Sequence, residues 1–516
     1  ANPLAHHLAD HGVGVGDHVG IHGQNSTEWM VAMIAAFKLR AVPININFRY
    51  VEDELAYLFD NADLVALVHD VAFAPRVAAV APRIGRLRHF VAMPGPPDDE
   101  SGAVASDPDV VDALGRLGSV PIADALASAS PERDFGERSD DDRYVLYTGG
   151  TTGMPKGVVW RHEDVFFALG GGIDAYTQER VASDTQLAEK ALATENPMVT
   201  LSAPPLMHGA AQWSTLRFWF EGGTVVFVPR FSPHAVWAAI EREGVNTVMI
   251  TGDAMARPLI EALEEDPARY DLSSLFVVSS SAAVFSPTVK DRYLELIPNA
   301  LIIDSIGSSE GGMNGMIAVQ KGETAMKGGG PTVTPSRDAV VLDADLVPVD
   351  PGSGTIGRVA RGGNIPLGYY KDERKTAETF VVAADGERYV VPGDFATVEA
   401  DGSITLLGRG SVCINSGGEK IFPEEVEAAL KAHPEVYDVV VVGVPDERWG
   451  SRVAAVVQPR HHESPPSLDE LDGHCRTRIA GYKVPRQLHL VEEIVRSPAG
   501  KPDYRWAQQI AAGTDN

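Results

Sequence analysis

Between Tyr144 and Gly157 the chain reads Tyr-Val-Leu-Tyr-Thr-Gly-Gly-Thr-Thr-Gly-Met-Pro-Lys-Gly. The apolar run Tyr144–Tyr147 predicts a buried strand. It leads into glycines, hydroxyls and a cation. Gly149, Gly150 and Gly153 let backbone N–H groups turn inward as an anion nest, and the hydroxyls of Thr148, Thr151 and Thr152 add donors. Lys156 supplies a mobile positive charge beside them. Phosphate binding is the chemistry this stretch can do. It differs from the Walker pattern, which needs Gly-Lys-Ser/Thr opening a helix, because Pro155 precedes the lysine and Gly157 follows it. By composition alone an ordinary Gly/Thr-rich turn is the preferred reading.

Other stretches carry residue types suited to a nucleotide. Ser202-Ala-Pro-Pro-Leu-Met-His places His208 after a proline loop, where a histidine is ordinarily satisfied by its neighbours. Leu275–Ser286 reads as a strand emptying into Ser281, Ala282 and Ala283, small residues against whose backbone a flat ring can lie. Ile302–Gly312 carries Asp304, Ser305, Ile306, Gly307, Ser309 and Glu310. A carboxylate such as Glu310 suits Mg²⁺, which prefers oxygen ligands. Asp394 follows Gly393 at the end of a strand, where an aspartate can accept two hydrogen bonds from a diol. Asp401–Glu427 includes Arg409, Gly410 and Ser411 and the pair Gly417–Gly418 before a helix opening at Pro423. Near the end, Arg496-Ser-Pro-Ala-Gly-Lys carries Lys501; an isolated surface lysine is normally just solvated.

In this order the stretches resemble the motifs of the adenylate-forming superfamily: acyl-CoA synthetases, firefly-type luciferases and nonribosomal adenylation domains. Tyr147–Gly157 is similar, nearly letter for letter, to its phosphate loop. Ile306-Gly-Ser-Ser-Glu is similar to Tyr-Gly-x-Thr-Glu, with Ile306 at the tyrosine and Ser309 at the threonine. Gly368-Tyr-Tyr, Thr376–Phe380, the run around Arg409 and Gly500-Lys501 resemble further signatures, so that essentially the whole chain is covered. Departures are Ser281-Ala-Ala-Val for Gly-Gly-Ala-Pro, an aliphatic Ile306 for the stacking aromatic, Pro392 before Gly-Asp, and Ser411 at a hinge position usually Asp or Lys.

The resemblance implies an AMP-forming acid–thiol ligase. A carboxylate attacks the α-phosphorus of ATP, releasing pyrophosphate; the C-terminal domain then rotates, and CoA's thiol displaces AMP. Lys501 would neutralise charge between carboxylate and phosphate. Glu310 would hold Mg²⁺, Thr151 and its loop would grip the pyrophosphate, and His208 would line the carboxylate pocket. Ser281–Ala283 with Asp304–Gly307 would flank adenine, Ser309 would touch phosphate, Asp394 the ribose, and Arg409 ribose or phosphate oxygens. Gly417 and Gly418 would let the pantetheine arm of CoA pass close to backbone. The wording is most similar to actinobacterial fatty-acyl-CoA synthetases, among them those acting on sterol side-chain carboxylates. A catalytically silent binding paralogue, or a ligase with another acceptor, are the alternatives; Lys156, Glu310, Asp394, Arg409 and Lys501 speak against the first.

These residues need positioning elements. Alternating strand and helix signals from Asn2 to His69 predict a parallel, layered α/β fold. The expected architecture is a large multi-subdomain N-terminal domain over 1–409, with layered βαβ sheets and a β-rich part, and a small mobile α+β domain over 410–516. Gly12, Gly14 and Gly16 lack a strand-then-helix setting and read as turns. Pro94–Asp142 reads as a surface excursion with one helix, Val110–Leu117, and Gln178–Asn196 as a mobile polar segment. The 516 residues suffice for about three domains' worth of core.

A formal net charge of −27 disfavours nucleic acid and anionic lipid, so each well-placed cation is informative. The two cysteines, Cys413 and Cys475, cannot staple a chain of this size; Cys413 is expected as a buried thiol, and a reducing cytoplasm is the simpler setting. His461 and His462 lack a third ligand at zinc spacing. No apolar run approaches the ~18 residues of a membrane span. Residues ahead of Ala1 are expected, and a homodimer is the assembly to test.

Overall fold

Eight strands form one sheet, in the order Gly368–Tyr369, Gly153–Arg161, Arg143–Gly150, Val42–Asn45, His18–His22, Leu64–Asp70, His89–Met93, Val120–Pro121. His18–His22 lies parallel between Val42–Asn45 and Leu64–Asp70, and these three strands are buried along their whole length. That is the condition of parallel strands covered on both faces. Ile44 and Leu67 enter one core, while Val19, Ile21, Ala66 and Val68 enter the other. The helix Thr27–Lys38 begins at its cap residue Ser26, whose side chain accepts from the Trp29 amide at 3.1 Å. Such a cap contributes about 1 kcal/mol.

This computed structural model describes residues 1–95, 104–150, 153–174, 177–320, 326–327, 330–416, 419–446, 450–496 and 500–513. They fall into two units, Ala1–Met249 with Asn364–Glu378, and Ile250–Gly363 with Thr379–Asn516. The boundary expected at 409/410 falls inside the second unit. Besides the eight-stranded sheet, the first unit contains the parallel strands Thr224–Phe227 and Val199–Ser202, and the latter pairs parallel with Thr247–Ile250, at whose last residue the second unit begins.

In the second unit, Val277–Ser281 pairs parallel with Leu301–Ser308, which turns back antiparallel into Gly312–Val319. Asp394–Val398 and Ile404–Arg409 form a hairpin. From Ile414 onward the chain has hydrophobic cores of its own around the sheet Val436–Asp446, Gly450–Pro459, Gln487–Leu490. No helix among the described residues is long and apolar enough to cross a membrane.

Several expectations need correction. The excursion before Asp142 holds a second helix, Ile122–Ser128, and Val120–Pro121 adds an edge strand to the sheet. Within Gln178–Asn196 the structure adds a helix, Asp184–Ala193, which Ser183 caps by accepting from the Gln186 amide. Tyr504–Ala511 is a further helix, hidden in the sequence because its buried positions are the small Ala507 and Ala511. Cys413 is only partly buried; the fully buried thiol is Cys475, which burial pushes up to about 11. Gly12 and Gly16 do turn, with φ of 81° and 80°.

One core device carries a pH signature. Asp70 is 1% exposed, accepts from the Gln24 amide at 2.8 Å, and burial raises its carboxyl to about 7. Its neighbours in the sheet, His22 and His69, are buried neutral, with values lowered by desolvation to about 3 and about 4. Between pH ~4 and ~6.5 the unfolded chain protonates these histidines and the folded one does not, so they lose stability as pH falls. Asp70 has the opposite sign: in that window the folded state holds its proton and the unfolded state does not. Asp70→Asn should therefore steepen the loss of stability on acidification by about one proton, or ~1.4 kcal/mol per pH unit. Urea melts from pH 4 to 7 would show it; an unchanged slope would refute the buried neutral carboxyl.

Candidate active site

The phosphate-loop stretch proves to be a β-hairpin, not a long loop after a strand. Arg143–Gly150 and Gly153–Arg161 pair antiparallel, with Thr148 opposite Lys156 and Gly150 opposite Gly153. Thr151 and Thr152 lie outside the described residues. Gly157 has no room for a side chain, since a Cβ there would sit 2.8 Å from both Tyr147 and Val145. The Lys156 ammonium is ion-paired with Asp372, whose carboxyl is held below its ordinary value by that hydrogen bond. Asp372 in turn accepts from the Lys375 amide at 2.9 Å.

Buried Asn45 joins this hairpin to the His208 loop. Its Nδ2 donates to the Tyr147 carbonyl at 2.8 Å and the Met207 carbonyl at 2.6 Å, while its Oδ1 accepts from the Tyr147 amide at 2.8 Å. Asn25 accepts from the Leu206 amide at 2.7 Å, and Gln212 donates to the Leu206 carbonyl at 2.8 Å. His208 sits at the start of the helix Gly209–Phe220, whose first residue lies so close to Leu146 that a Cβ would come within 2.4 Å. Sequence reasoning missed Asn25 and Asn45. Each sits at or next to a strand–helix boundary, and only burial distinguishes it from a turn asparagine. Trp213 is core, packed edge-on against Tyr144 at 5.2 Å.

In the second unit, the expected adenine segment is laced to the start of the helix Gly252–Glu265. Gly252 donates to the Ser280 hydroxyl at 3.1 Å, the Asp253 amide to the Val284 carbonyl at 2.8 Å, and the Ser286 amide to Asp253 at 2.8 Å. Gly252 approaches so closely that a Cβ would meet the Val284 carbonyl at 2.4 Å. Ser281 and Ala283 are half-buried, Ala282 is exposed, and its φ of 69° makes it a turn in the left-handed region.

Parallel pairing sets Ser281 beside Ser305, and the Ser305 hydroxyl donates to the Ser280 carbonyl at 3.1 Å. Asp304 is 6% exposed and its carboxylate accepts from Lys290 at 2.6 Å, so that group is committed to an internal ion pair. Burial nonetheless raises its pKa. Ile306 packs against the core of Val333, Val341 and Val359. Ser309 and Glu310 form the tip of the hairpin Leu301–Ser308/Gly312–Val319, with Glu310 half-buried. Gly307 is required there, because a Cβ would meet the Gly312 carbonyl at 2.4 Å. Asp394 and Arg409 are cross-strand partners. Gly417 and Gly418 lie outside the described residues.

The Lys501 segment is held by a buried ion network. Arg496 donates bidentately to Asp438, at 2.7 Å from both Nε and Nη2, and from Nη1 to the Gly500 carbonyl at 2.9 Å. Lys431 lies 3.2 Å from Asp438 and 3.9 Å from Asp253. Burial would raise the Asp438 carboxyl, but Lys431 and Arg496 hold it well below the usual carboxylate range. Gly500, at φ 71°, packs on Ala254 and Thr251, where a Cβ would come within 2.9 and 3.4 Å. The residue before Lys501 therefore touches the same helix start that laces the adenine segment.

Arg496→Ala is expected to slow adenylate formation by ~10²-fold, the cost of about 1 Å of misplacement, and to destabilise the fold by roughly 3–5 kcal/mol, because a buried carboxylate loses its partner. Isotope exchange between pyrophosphate and ATP would report the first; an unchanged exchange rate would exclude a positioning role.

Residues 1–370 match the family model "AMP-binding enzyme", and residues 425–501 match "AMP-binding enzyme C-terminal domain". The chain belongs to this adenylate-forming family. It is 54% identical over 513 residues to the 3-oxocholest-4-en-26-oate–CoA ligase of Rhodococcus rhodochrous, covering 98% of this chain and 89% of that one. It is 53% identical to the medium/long-chain-fatty-acid–CoA/3-oxocholest-4-en-26-oate–CoA ligase of Mycolicibacterium smegmatis, covering 99% and 90%. The anthranilate CoA ligase AuaEII in complex with anthranoyl-AMP superposes with a TM-score of 0.79 at 22% identity, over 99% of this chain and 91% of that one, a likeness of fold.

Proposed function

We propose that this AMP-forming acyl-CoA synthetase activates a bulky hydrophobic carboxylic acid, a sterol side-chain or medium-to-long fatty acid, as acyl-AMP and passes the acyl group to CoA. ATP and CoA are its nucleotide and acceptor substrates. The observation that carries the substrate class is identity above 50% over nearly the whole chain to ligases named for such acids.

A carboxylate is a weak nucleophile already ionised at neutral pH, so no base is needed. Positioning and charge neutralisation must do the work. In our assignment Lys501 bridges carboxylate and α-phosphate, Lys156 leaves Asp372 for the leaving pyrophosphate, and Thr148, Gly149, Gly150, Thr151, Thr152 and Gly153 line that end. Asp394 and Arg409 hold the ribose, Ser281–Ala283 with Ser305 and Ile306 flank adenine, and His208 lines the acyl pocket. Asp304 supports that wall through Lys290 in place of touching the nucleotide.

Glu310 sits at the tip of the hairpin Leu301–Ser308/Gly312–Val319, and its carboxylate is the kind of oxygen donor that fits Mg²⁺. Glu310 would hold the ion, which neutralises phosphate charge when bound. We also propose a boundary at 409/410, with Gly410–Val412 as hinge, Gly417 and Gly418 beside the pantetheine arm, a cytoplasmic location and a homodimer, the last to be tested by light scattering.

The functional test is pyrophosphate release across sterol, long-chain, short-chain and aromatic carboxylates, with and without CoA. The proposal expects release with the first two and CoA-dependent thioester. A preference for aromatic or short acids would overturn the substrate class, and trapped adenylate without thioester would overturn the acceptor.

A further inference from the structure

Three histidines that the reaction does not use converge at the N-terminal helix. His7 and His11 are four residues apart, on and just past the helix Asn2–Asp10, and so share a face; His89 opens the strand His89–Met93. One ligand nitrogen from each lies within 4.8 Å of the others. The Nε2 atoms of His7 and His89 are 3.0 Å apart, and the His11 ring stacks on His89 at 4.1 Å. Nδ1 of His11 donates to the His7 carbonyl at 2.7 Å, which fixes its tautomer and leaves the Nε2 lone pair for the cluster. His7 and His89 are 6% and 8% exposed, and His11 is exposed to solvent.

We propose that His7, His11 and His89 form a binding site for a zinc-class transition-metal cation, which clamps the N-terminal helix to the sheet. A tetrahedral zinc with Zn–N near ~2.1 Å separates its ligand atoms by about 3.4 Å. The observed spread of 3.0 to 4.8 Å brackets this, so small ring rotations close the site. Imidazole donors without a carboxylate among them select Zn²⁺, Ni²⁺ or Cu²⁺ over Mg²⁺ or Ca²⁺. Solvent at His11 supplies the fourth ligand as water. The bland competitor is an N–H···N hydrogen bond between His7 and His89 with a stacked third ring, which binds no metal.

The test titrates Zn²⁺ into chelator-dialysed, untagged full-length chain by calorimetry, with Co²⁺ as a spectroscopic probe. The site predicts one saturable equivalent, visible Co²⁺ bands of low-coordinate geometry, and a melting temperature that rises with Zn²⁺. His11→Ala is the decisive variant, because its exposed side chain can be removed without opening the core. It should weaken binding at least 100-fold while leaving the metal-free melt unchanged. The variant His461→Ala/His462→Ala, at an exposed pair elsewhere, should bind as the parent does. Absence of saturable binding at one equivalent, or unchanged affinity in His11→Ala, would overturn the site in favour of the hydrogen-bonded cluster.

Discussion

Lys501→Ala is expected to reduce acyl-adenylate formation by ~10²–10³-fold or more, while thioester formation from preformed acyl-AMP and CoA proceeds near the parental rate. The lower bound is what removal of one preorganised charged donor costs when it faces charge developing in a transition state. Lys501 qualifies by placement: Gly500 is seated on Thr251 and Ala254 and tied through Arg496 to Asp438, which fixes the backbone next to Lys501 against the start of the helix Gly252–Glu265. Its absence should leave the second step intact, since displacement of AMP by a thiol needs no cation between carboxylate and phosphate. Exchange of labelled pyrophosphate into ATP reads the first step, and single-turnover thioester formation reads the second. Normal exchange in the variant would strip Lys501 of its role; loss of both steps would point to misfolding of the C-terminal sheet.

The second large effect concerns Glu310. Glu310→Ala should lower pyrophosphate exchange by ~10²-fold at ordinary Mg²⁺ and shift the Mg²⁺ titration to much higher concentration, since the variant removes the charged oxygen ligand assigned to the ion. Glu310→Gln keeps the shape and one oxygen, and should lie between the two. Gly307 and Gly312 fix the hairpin that carries it, so the change should not reach the core. A Mg²⁺ titration superimposable on the parent's would remove Glu310 from the metal site.

Much of the fold was legible because local signals agreed with tertiary ones. Ser26 before Thr27–Lys38, Pro233 opening its helix, and the apolar run Tyr144–Tyr147 each became the element their residues predict. Small buried side chains hid Tyr504–Ala511, and a short edge strand such as Val120–Pro121 has too few residues to show a period. The candidate site was legible as a set of stretches but not as contacts. Lys156 looked like a free charge until Asp372, more than two hundred residues on, proved to hold it. Asp304 looked like a ligand contact until Lys290 claimed its carboxylate.

The sequence by itself determined which chemical groups are present and in what order: the Gly/Thr/Lys hairpin, Glu310, Asp394, Arg409 and Lys501, enough to name the superfamily. Tertiary structure decided which of those groups are engaged and by whom. Burial is the reason, because it turns an aspartate into half of an ion pair, an asparagine into a splint between two loops, and three scattered histidines into one cluster. In each case the deciding partner comes from another element of the fold: Lys290 for Asp304, the His208 loop for Asn45, and His89 for the helix pair His7 and His11.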